Sequence, residues 1–572
     1  MQPIELPRPG SRIRTAALHG SSDALLIAQL ARARRPLALF TAAAADAQRL
    51  LEEIPFFDSE LAVHLLPDWE TLPYDQLSPH QDLVSERLAT LHQLMRRAFD
   101  VVIVPVTTAL CRLAPLEYLA ARSFFFKQGE KLPPDELRGQ LVTAGYAHVT
   151  QVVAPGEYCV RGGLIDLFPT GSTLPYRIEL DDDVVASIRS FDADTQRSIY
   201  KVGEIRLLPA REFPLDEEGQ TRFRRNFREK FEGDPSRSRV YKDISRGVPS
   251  AGIEYYLPLF FDRTALVTDY IPPETVVCVQ PGLQEAIEQF WTDTHGRYAL
   301  LRGDLGQPVL PPHELFQTAD QFFGSIKPHS RVELHTVSSF QFPVSSSEDS
   351  AAPDTTRNSQ LETRNSPTAP LPPLAVDRRA DDPLHRLRAF RASFPGKMLV
   401  LAEGAGRRET ILEYLNEHGM PPAVVQDYAQ FAAAGEPFTL ATGPLHAGFV
   451  DTDPPLAIVT ENELYAHHAR PRREREGAQR ASPEGMLRDL SEVKIGDPVV
   501  HESHGIGRYV GLVTMNLGEG DTEFLTLEYA GSDKLYVPVS SLHLISRYSG
   551  GPVDAAPLHQ LGSGQWDKAK KK

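Results

Sequence analysis

Four short strings in this 572-residue chain assemble side chains of the kind that do chemistry, and each stops short of a complete site. A phosphate-binding loop needs glycines whose amides approach phosphates, a lysine for the outer phosphates and a hydroxyl for magnesium, written GxxxxGK[ST]. The one Gly-Lys pair, Gly396 and Lys397, is followed by Met398 and opens a strand where such a loop opens a helix. His19 to Asp23 (HGSSD) stands where a motor domain carries its loop, but it contains no lysine, and a Gly-Ser turn before a helix is usually a cap. His501 and His504 lie three apart with only Glu502 nearby; no cysteine or further histidine completes a metal set, so they read as turn and barrel residues. The basic run Arg470, Arg472, Arg473 and Arg475 is interleaved with Glu474 and Glu476, which favours a solvated linker over a nucleic-acid patch. Neither GxSxG nor HExxH occurs. No catalytic residue, metal ligand or cofactor site is expected in this chain.

The elements that would position these groups form several domains, because 572 residues exceed what one hydrophobic core supports. Hydrophobic residues make up 41% and charged residues 24%, ordinary values for a soluble protein. No apolar run could span a bilayer, and MQPIELPRPGSRIRT lacks the core of a secretory signal, so a cytoplasmic protein without membrane contact is expected. Cys111, Cys159 and Cys278 are far apart and too few for a disulfide framework; they read as buried thiols. The net charge of −16 argues against a chain that is wholly a nucleic-acid clamp and favours protein partners.

Helix and strand patterns alternate at the front: a helix over Ala24 to Arg34, a buried strand at Pro36 to Thr41, a helix over Ala45 to Ile54, an amphipathic helix over Ser85 to Arg97, and Val101 to Val106 apolar on both faces. This is an α/β layered domain. From about Lys127 a helix opening at Pro134 leads into period-two segments at Gly163 to Phe168, Tyr176 to Leu180 and Ala186 to Phe191, a small mixed sheet inserted in the chain. After Pro209 a mixed segment, with a strand at Thr275 to Val279 and a helix at Leu283 to Trp291, could close back on the first domain. Phe342 to Arg378 is rich in Ser, Thr, Pro and Asn and reads as a flexible linker. A helix from Pro383, the strand Lys397 to Ala402, a helix over Arg407 to His418, and strands at Phe438 to Ala441 and Leu456 to Thr460 form a second small α/β domain. A further linker over Ala469 to Pro483 precedes a compact all-β module reaching about Arg547, and WDKAKKK reads as the first turn of a helix cut off.

DWETLPYD (Asp68 to Asp75) followed by SPHQDLVSERLATL (Ser78 to Leu91) resembles a signature of bacterial transcription-repair coupling factors and of the related excinuclease-B protein. The resemblance continues through GEYCVRGGLIDLFP (Gly156 to Pro169), LPYRIEL (Leu174 to Leu180), SFDADTQRS (Ser190 to Ser198), AGIEYYLPLFF (Ala251 to Phe261) and HAGFVDT (His446 to Thr452). It ends with IGDPVVHESHGIGRYVGL (Ile495 to Leu512) and KLYVPVSSLHLISRY (Lys534 to Tyr548), a module that the excinuclease-B protein lacks.

That resemblance implies an order of parts. Residues 1–126 and 210–341 are an excinuclease-B-like, degenerate motor-like α/β domain; 127–209 are an inserted mixed α+β domain that binds the excinuclease-A protein; 342–378 are linker. Residues 379–466 are the second α/β domain, 467–491 a linker, 492–550 an all-β SH3/Tudor-like small barrel that binds RNA polymerase, and 551–572 the start of a connecting helix. The family continues into two motor domains that bind ATP and magnesium and engage duplex DNA, then a C-terminal domain that masks the excinuclease-A-binding surface; this chain stops before them. Carried over residue by residue, Arg161 and Arg177 match positions that hold the excinuclease-A protein, and Met515 matches an apolar contact to the polymerase β subunit. An internal salt bridge with the acidic turn Asp181 to Asp183 competes with the first assignment, and a place in the barrel core with the second. Asp181 departs from family members that carry an aromatic there. The expected function is a transcription-coupled excision repair scaffold. An excinuclease-B-like ATPase, disfavoured by the absent GK[ST], and a stand-alone polymerase-binding regulator, which leaves the front domains without a use, are the alternatives.

Overall fold

The computed structural model describes residues 6–33, 36–304, 306–337, 368–465, 496–501, 505–516, 521–531, 533–538, 545–547 and 558. They divide between two compact units, one drawn from residues 1–68 and 81–472, the other from 69–80 and 473–572.

In the first unit the chain builds β1 (Arg12–His19), α1 (Ser22–Ala33), β2 (Leu37–Thr41), α2 (Ala44–Phe57), β3 (Val63–Leu65), α3 (Gln81–Met95) and β4 (Val101–Pro105). Both β2 and β4 are buried along their whole length, as strands of a parallel sheet covered on both faces must be. The insert opens at β5 (Phe124–Lys127) and continues through β6 (Ala147–His148), β7 (Glu157–Arg161), β8 (Leu164–Phe168), β9 (Tyr176–Asp181), β10 (Val184–Phe191) and β11 (Ser198–Lys201). It closes at β12 (Glu204–Leu207), which pairs antiparallel with β5, so the chain leaves and re-enters at one point. The returning segment then lays β13 (Val276–Val279) and β14 (Ser330–Val337) between β1 and β2, giving an all-parallel sheet in the order β1-β14-β13-β2-β4-β3. Arg87 of α3 ties the re-entry point down: its guanidinium meets Glu212 at 2.6 Å and the Pro67 carbonyl at 2.6 Å, with both charged side chains almost fully buried.

The insert sheet runs β11-β10-β9-β8-β7-β6, antiparallel except for the β6–β7 pair. The helix Pro134–Thr143 starts on a proline whose missing N–H costs nothing in a first turn. Leu137 and Leu141, one turn apart, bury against Tyr158, Ile165, Leu167 and Ile178 of one sheet face.

The second α/β layer belongs to the same unit. It comprises β15 (Thr368–Ala369), β16 (Lys397–Ala402), β17 (Ala423–Val424), β18 (Phe438–Thr442), β19 (Phe449–Thr452) and β20 (Pro455–Thr460) in the order β15-β19-β20-β16-β18-β17. Residues 368–378, which composition assigns to a linker, depart from that expectation: Thr368 pairs with Asp451, and Leu374 is buried in the core of this layer. The segment joins the layer through Leu371 and Val376, packed beside Leu374, as well as through the edge of β19. Helices α1 and α2 are sandwiched between the two sheets, where Leu26, Ile54 and Phe57 share one core with Leu399, Phe431 and Phe449.

The second unit holds β21 (Pro498–His501), β22 (Gly505–Asn516), β23 (Asp521–Glu528), β24 (Lys534–Pro538) and β25 (Ile545–Arg547), an antiparallel sheet ordered β24-β23-β22-β21-β25. Tyr509, Leu525, Leu527 and Ile545 fill its core. Among the described residues the end strands β24 and β25 are not paired, so no closed barrel is found. Residues 69–80, which carry most of DWETLPYD, group with this unit and not with the front domain that surrounds them in sequence; Trp69 and Tyr74 are buried.

Candidate functional site

One face of the insert sheet packs on its helix, and the other carries a small buried cluster of Val152, Cys159, Phe168 and Phe191 with charged side chains around it. Cross-strand register places Cys159, Asp166, Arg177, Arg189 and Lys201 in a single row across five strands. A parallel row on the same face carries Arg161, Leu164, Glu179 and Ser187. Because side chains two apart along a strand share a face, Arg161 and Arg177 lie on the same side of the sheet, opposite the buried Ile165, Leu167 and Ile178. Arg189 and Lys201 join them, and a sequence reading misses both because cross-strand alignment depends on hairpin lengths that periodicity alone does not give.

The two arginines are held differently. Arg177 donates from Nε and Nη2 to the two carboxylate oxygens of Asp166 at 2.7 and 3.0 Å, and its guanidinium lies 4.8 Å over the Phe191 ring. This bidentate fork raises the Arg177 pKa, with the hydrogen bond to Asp166 the largest cause. An internal bridge therefore exists, but its partner is Asp166 and not the acidic turn at Asp181 to Asp183. Arg161 is exposed and donates from Nη2 to the Thr150 carbonyl, which orients the guanidinium without neutralising it. Of the two, Arg161 is the one whose charge is not balanced by a bidentate carboxylate.

At the start of α1, the HGSSD string is closed off. The Ser21 amide donates to the Ala447 carbonyl at 3.0 Å, and the Ala447 amide returns a bond to the Ser21 hydroxyl at 3.2 Å. Glu53 accepts from the Ser21 hydroxyl and the His446 amide, each at 2.8 Å, and from Arg49 at 2.6 Å, while Arg49 also grips Asp23. Thr368 caps the same place, its hydroxyl accepting from the His19 amide at 2.8 Å. A Cβ on Gly20, whose φ is +53°, would stand 2.2 Å from the Gly448 carbonyl oxygen. The chain's own loop thus occupies the concavity in which a helix N-terminus would otherwise receive an anion.

In the second unit, β22 pairs with β21 only over Gly505 to Arg508, whereas its pairing with β23 runs to Asn516. Beyond Tyr509 one edge of β22 therefore has no strand partner among the described residues. Met515 is on this stretch, opposite Thr522; its side chain lies outside the described part of the structure. His501 is buried in β21, His504 lies outside the described residues, as do Arg470 to Arg475, and among the described residues no group of metal-ligating side chains assembles. All three cysteines are buried and unpaired, with burial pushing the Cys111 and Cys278 thiols well above their ordinary range. No described helix is long and apolar enough to cross a membrane.

Three family models match the chain: a UvrB interaction domain over residues 124–213, an MFD D3 domain over 390–464, and a CarD-like/TRCF RID domain over 493–549. The first coincides with the insert from β5 to just past β12, and the last with the five-stranded sheet. The transcription-repair-coupling factor of Haemophilus influenzae is 39% identical over 559 residues, covering 96% of this chain and 46% of that protein. Its counterpart in Escherichia coli is also 39% identical, over 99% of this chain and 48% of that protein, and that of Bacillus subtilis is 26% identical over 97% and 47%. The chain thus spans about half the length of the relatives it matches. With three domain matches and similarity along nearly all of its residues, the chain belongs to the transcription-repair-coupling factor family.

Proposed function

We propose that this chain is a scaffold of transcription-coupled excision repair, in which the insert recruits the excinuclease-A protein and the five-stranded sheet, read as an SH3/Tudor-like module, docks on the β subunit of RNA polymerase. The observation that carries the reading is the charged face of the insert sheet, where Arg161 and Arg177 stand on one side with Arg189 and Lys201 beside them. Guanidinium groups fixed in orientation on a rigid sheet suit recognition of carboxylates on a protein partner. ATP, magnesium and most contact with duplex DNA belong, in this proposal, to the part of the family that this chain does not span.

Titration calorimetry of the 572-residue chain against the purified excinuclease-A protein tests the recruiting face. Binding is expected without ATP, DNA or polymerase, to weaken with added salt, and to lose about 1–3 kcal/mol in Arg161→Ala. Arg177→Ala leaves the buried Asp166 carboxylate alone, so it is measured in an Asp166→Asn background, where a loss of similar size is expected. Binding indifferent to both arginines places the recruiting face elsewhere.

The same chain is expected to release no phosphate from ATP above background, with or without duplex DNA. The occupied start of α1 and the lack of a GxxxxGK[ST] string support this. Turnover that survives purification favours the excinuclease-B-like ATPase reading instead.

A further inference from the structure

One surface outside both proposed interfaces is strongly basic in an otherwise acidic chain. Between Glu217 and Gly247 nine Lys and Arg residues stand against six Asp and Glu, while the whole chain carries −16. This segment folds as two helices, Glu217–Lys230 and Arg239–Ser245. Phe223 and Phe227 of the first and Val240 and Ile244 of the second are buried, and the rings of Phe227 and Tyr241 meet at 5.2 Å. A one-turn spacing of buried residues fixes what faces outward. On the first helix the solvent side carries Arg224, Arg225 and Arg228; on and just past the second it carries Arg239, Lys242 and Arg246. Arg228 links the two stripes by donating from Nε to the Tyr241 hydroxyl at 2.9 Å.

Part of this charge is committed: Arg222 pairs with Glu218 at 2.7 Å and Lys230 with Glu314 at 2.9 Å. Arg225 reaches Asp262 at 3.3 Å and Arg239 reaches Asp243 at 3.5 Å. Among the described residues Arg224, Arg228, Lys242 and Arg246 make no ion pair; Arg224 bonds the Thr221 hydroxyl at 3.0 Å, and the exposed Asp234 lies within electrostatic reach of Lys242. Apart from Val248, half exposed just past Arg246, no large apolar side chain stands exposed along the stripes to centre a protein–protein interface. Cations repeated at intervals of four residues, about 6 Å along a helix, instead suit a ligand whose negative charge also repeats along a line.

We propose that the outward face of this helix pair binds the phosphate backbone of a nucleic-acid duplex, without regard to base sequence. Guanidinium groups oriented by a hydroxyl partner keep their remaining N–H donors for phosphate oxygens. The proposal is independent of the recruiting and polymerase-docking readings above.

The test is fluorescence anisotropy of the 572-residue chain with a labelled duplex of arbitrary sequence, about 20 base pairs long, from about 50 to 200 mM salt. Binding is expected to weaken steeply with salt. Replacing Arg224, Arg228 and Arg246 together by Gln should weaken it at least about tenfold at the lowest salt and flatten the log–log salt slope by roughly three, near 0.9 for each phosphate contact removed. Arg246→Gln alone, at a side chain that makes no ion pair among the described residues, should flatten the slope by about one. Arg386→Gln, at an exposed arginine on the helix His385–Ser393, should leave affinity and slope unchanged. DNA and RNA duplexes are compared in parallel, and poly-glutamate serves as competitor. No duplex binding at low salt, an unaltered slope in the triple variant, or an equal loss in Arg386→Gln overturns the proposal. Poly-glutamate competing as well as duplex at equal charge overturns it too, by assigning the face to acidic polypeptides.

Discussion

Glu53→Ala is expected to cost the joint between the two α/β layers roughly 3–5 kcal/mol, the usual penalty for breaking a buried charged network by removing one member. The Glu53 side chain is fully buried and serves three donors at once, Arg49, the Ser21 hydroxyl and the His446 amide. Its loss leaves the His446 amide and the Ser21 hydroxyl without that acceptor and removes one of the two buried carboxylates that hold the Arg49 guanidinium. Glu53→Gln keeps an oxygen for the uncharged donors and should cost less. Burial raises the Glu53 pKa, while Arg49 pulls it down less strongly and Asp23 adds to the rise. A folded-state pKa above the unfolded one means that the native chain holds the proton longer. The proton-linked part of the stability from Glu53 is therefore full below the ordinary glutamate range and declines as pH rises through the raised value, a dependence that Glu53→Gln should lack. A chain of several domains has no single unfolding free energy, so the measurement is amide hydrogen exchange of peptides from α1 and from residues 443–448. Exchange there should speed up by about a hundredfold or more in Glu53→Ala, with peptides of the insert unchanged. Exchange at the wild-type rate means that the joint is held by the shared apolar core alone.

How this joint escapes a sequence reading is physical. The strands that are apolar on both faces announce themselves: Pro36 to Thr41 and Val101 to Val106 contain β2 and β4 because a parallel sheet covered on both faces favours apolar residues at successive positions. Lys397 to Ala402 is the strand that its pattern describes. Helix starts are legible to within a few residues, since the turn-by-turn burial of Leu50, Ile54 and Phe57 is a local property of α2, whereas the helix expected at Leu283 to Trp291 runs on to Leu301. By contrast, the contact of His446 with Glu53 joins residues 393 apart, and no local period encodes it. The same holds for the salt bridge of Arg177. Its acidic neighbours in sequence, Asp181 to Asp183, are the obvious partners, yet the antiparallel register brings Asp166 directly opposite it. Thr368 fails for another reason: a short strand in a polar stretch has no pattern of its own, and only the edge of β19 makes it one. The basic helix pair is readable in principle, with Phe223 and Phe227 one turn apart, but a net charge of −16 sums over the whole chain and carries no trace of a local excess.

Met515→Arg is expected to abolish binding of the chain to the polymerase β subunit while leaving the five-stranded sheet folded. The reasoning starts from β22, whose twelve residues outrun β21, so that its distal half presents an edge with no strand partner among the described residues. Such an edge offers alternate N–H and C=O groups to an incoming strand, and an apolar side chain beside it supplies the desolvated contact that main-chain hydrogen bonds alone do not. Truncating a central anchor of an interface already costs about 2 kcal/mol or more, and a guanidinium placed there adds the desolvation of a charge that has no counter-ion. The sum is several kcal/mol, more than about a hundredfold in affinity. Met515→Leu, which keeps an apolar group of similar volume, should bind nearly as the parent does. Pull-down or titration with the isolated polymerase β subunit gives the affinity, and hydrogen exchange over β22 and β23 gives the fold. Faster exchange throughout the sheet in Met515→Arg means that the side chain serves the fold of the sheet and not a partner. An intact sheet that still binds moves the polymerase contact off this edge of β22.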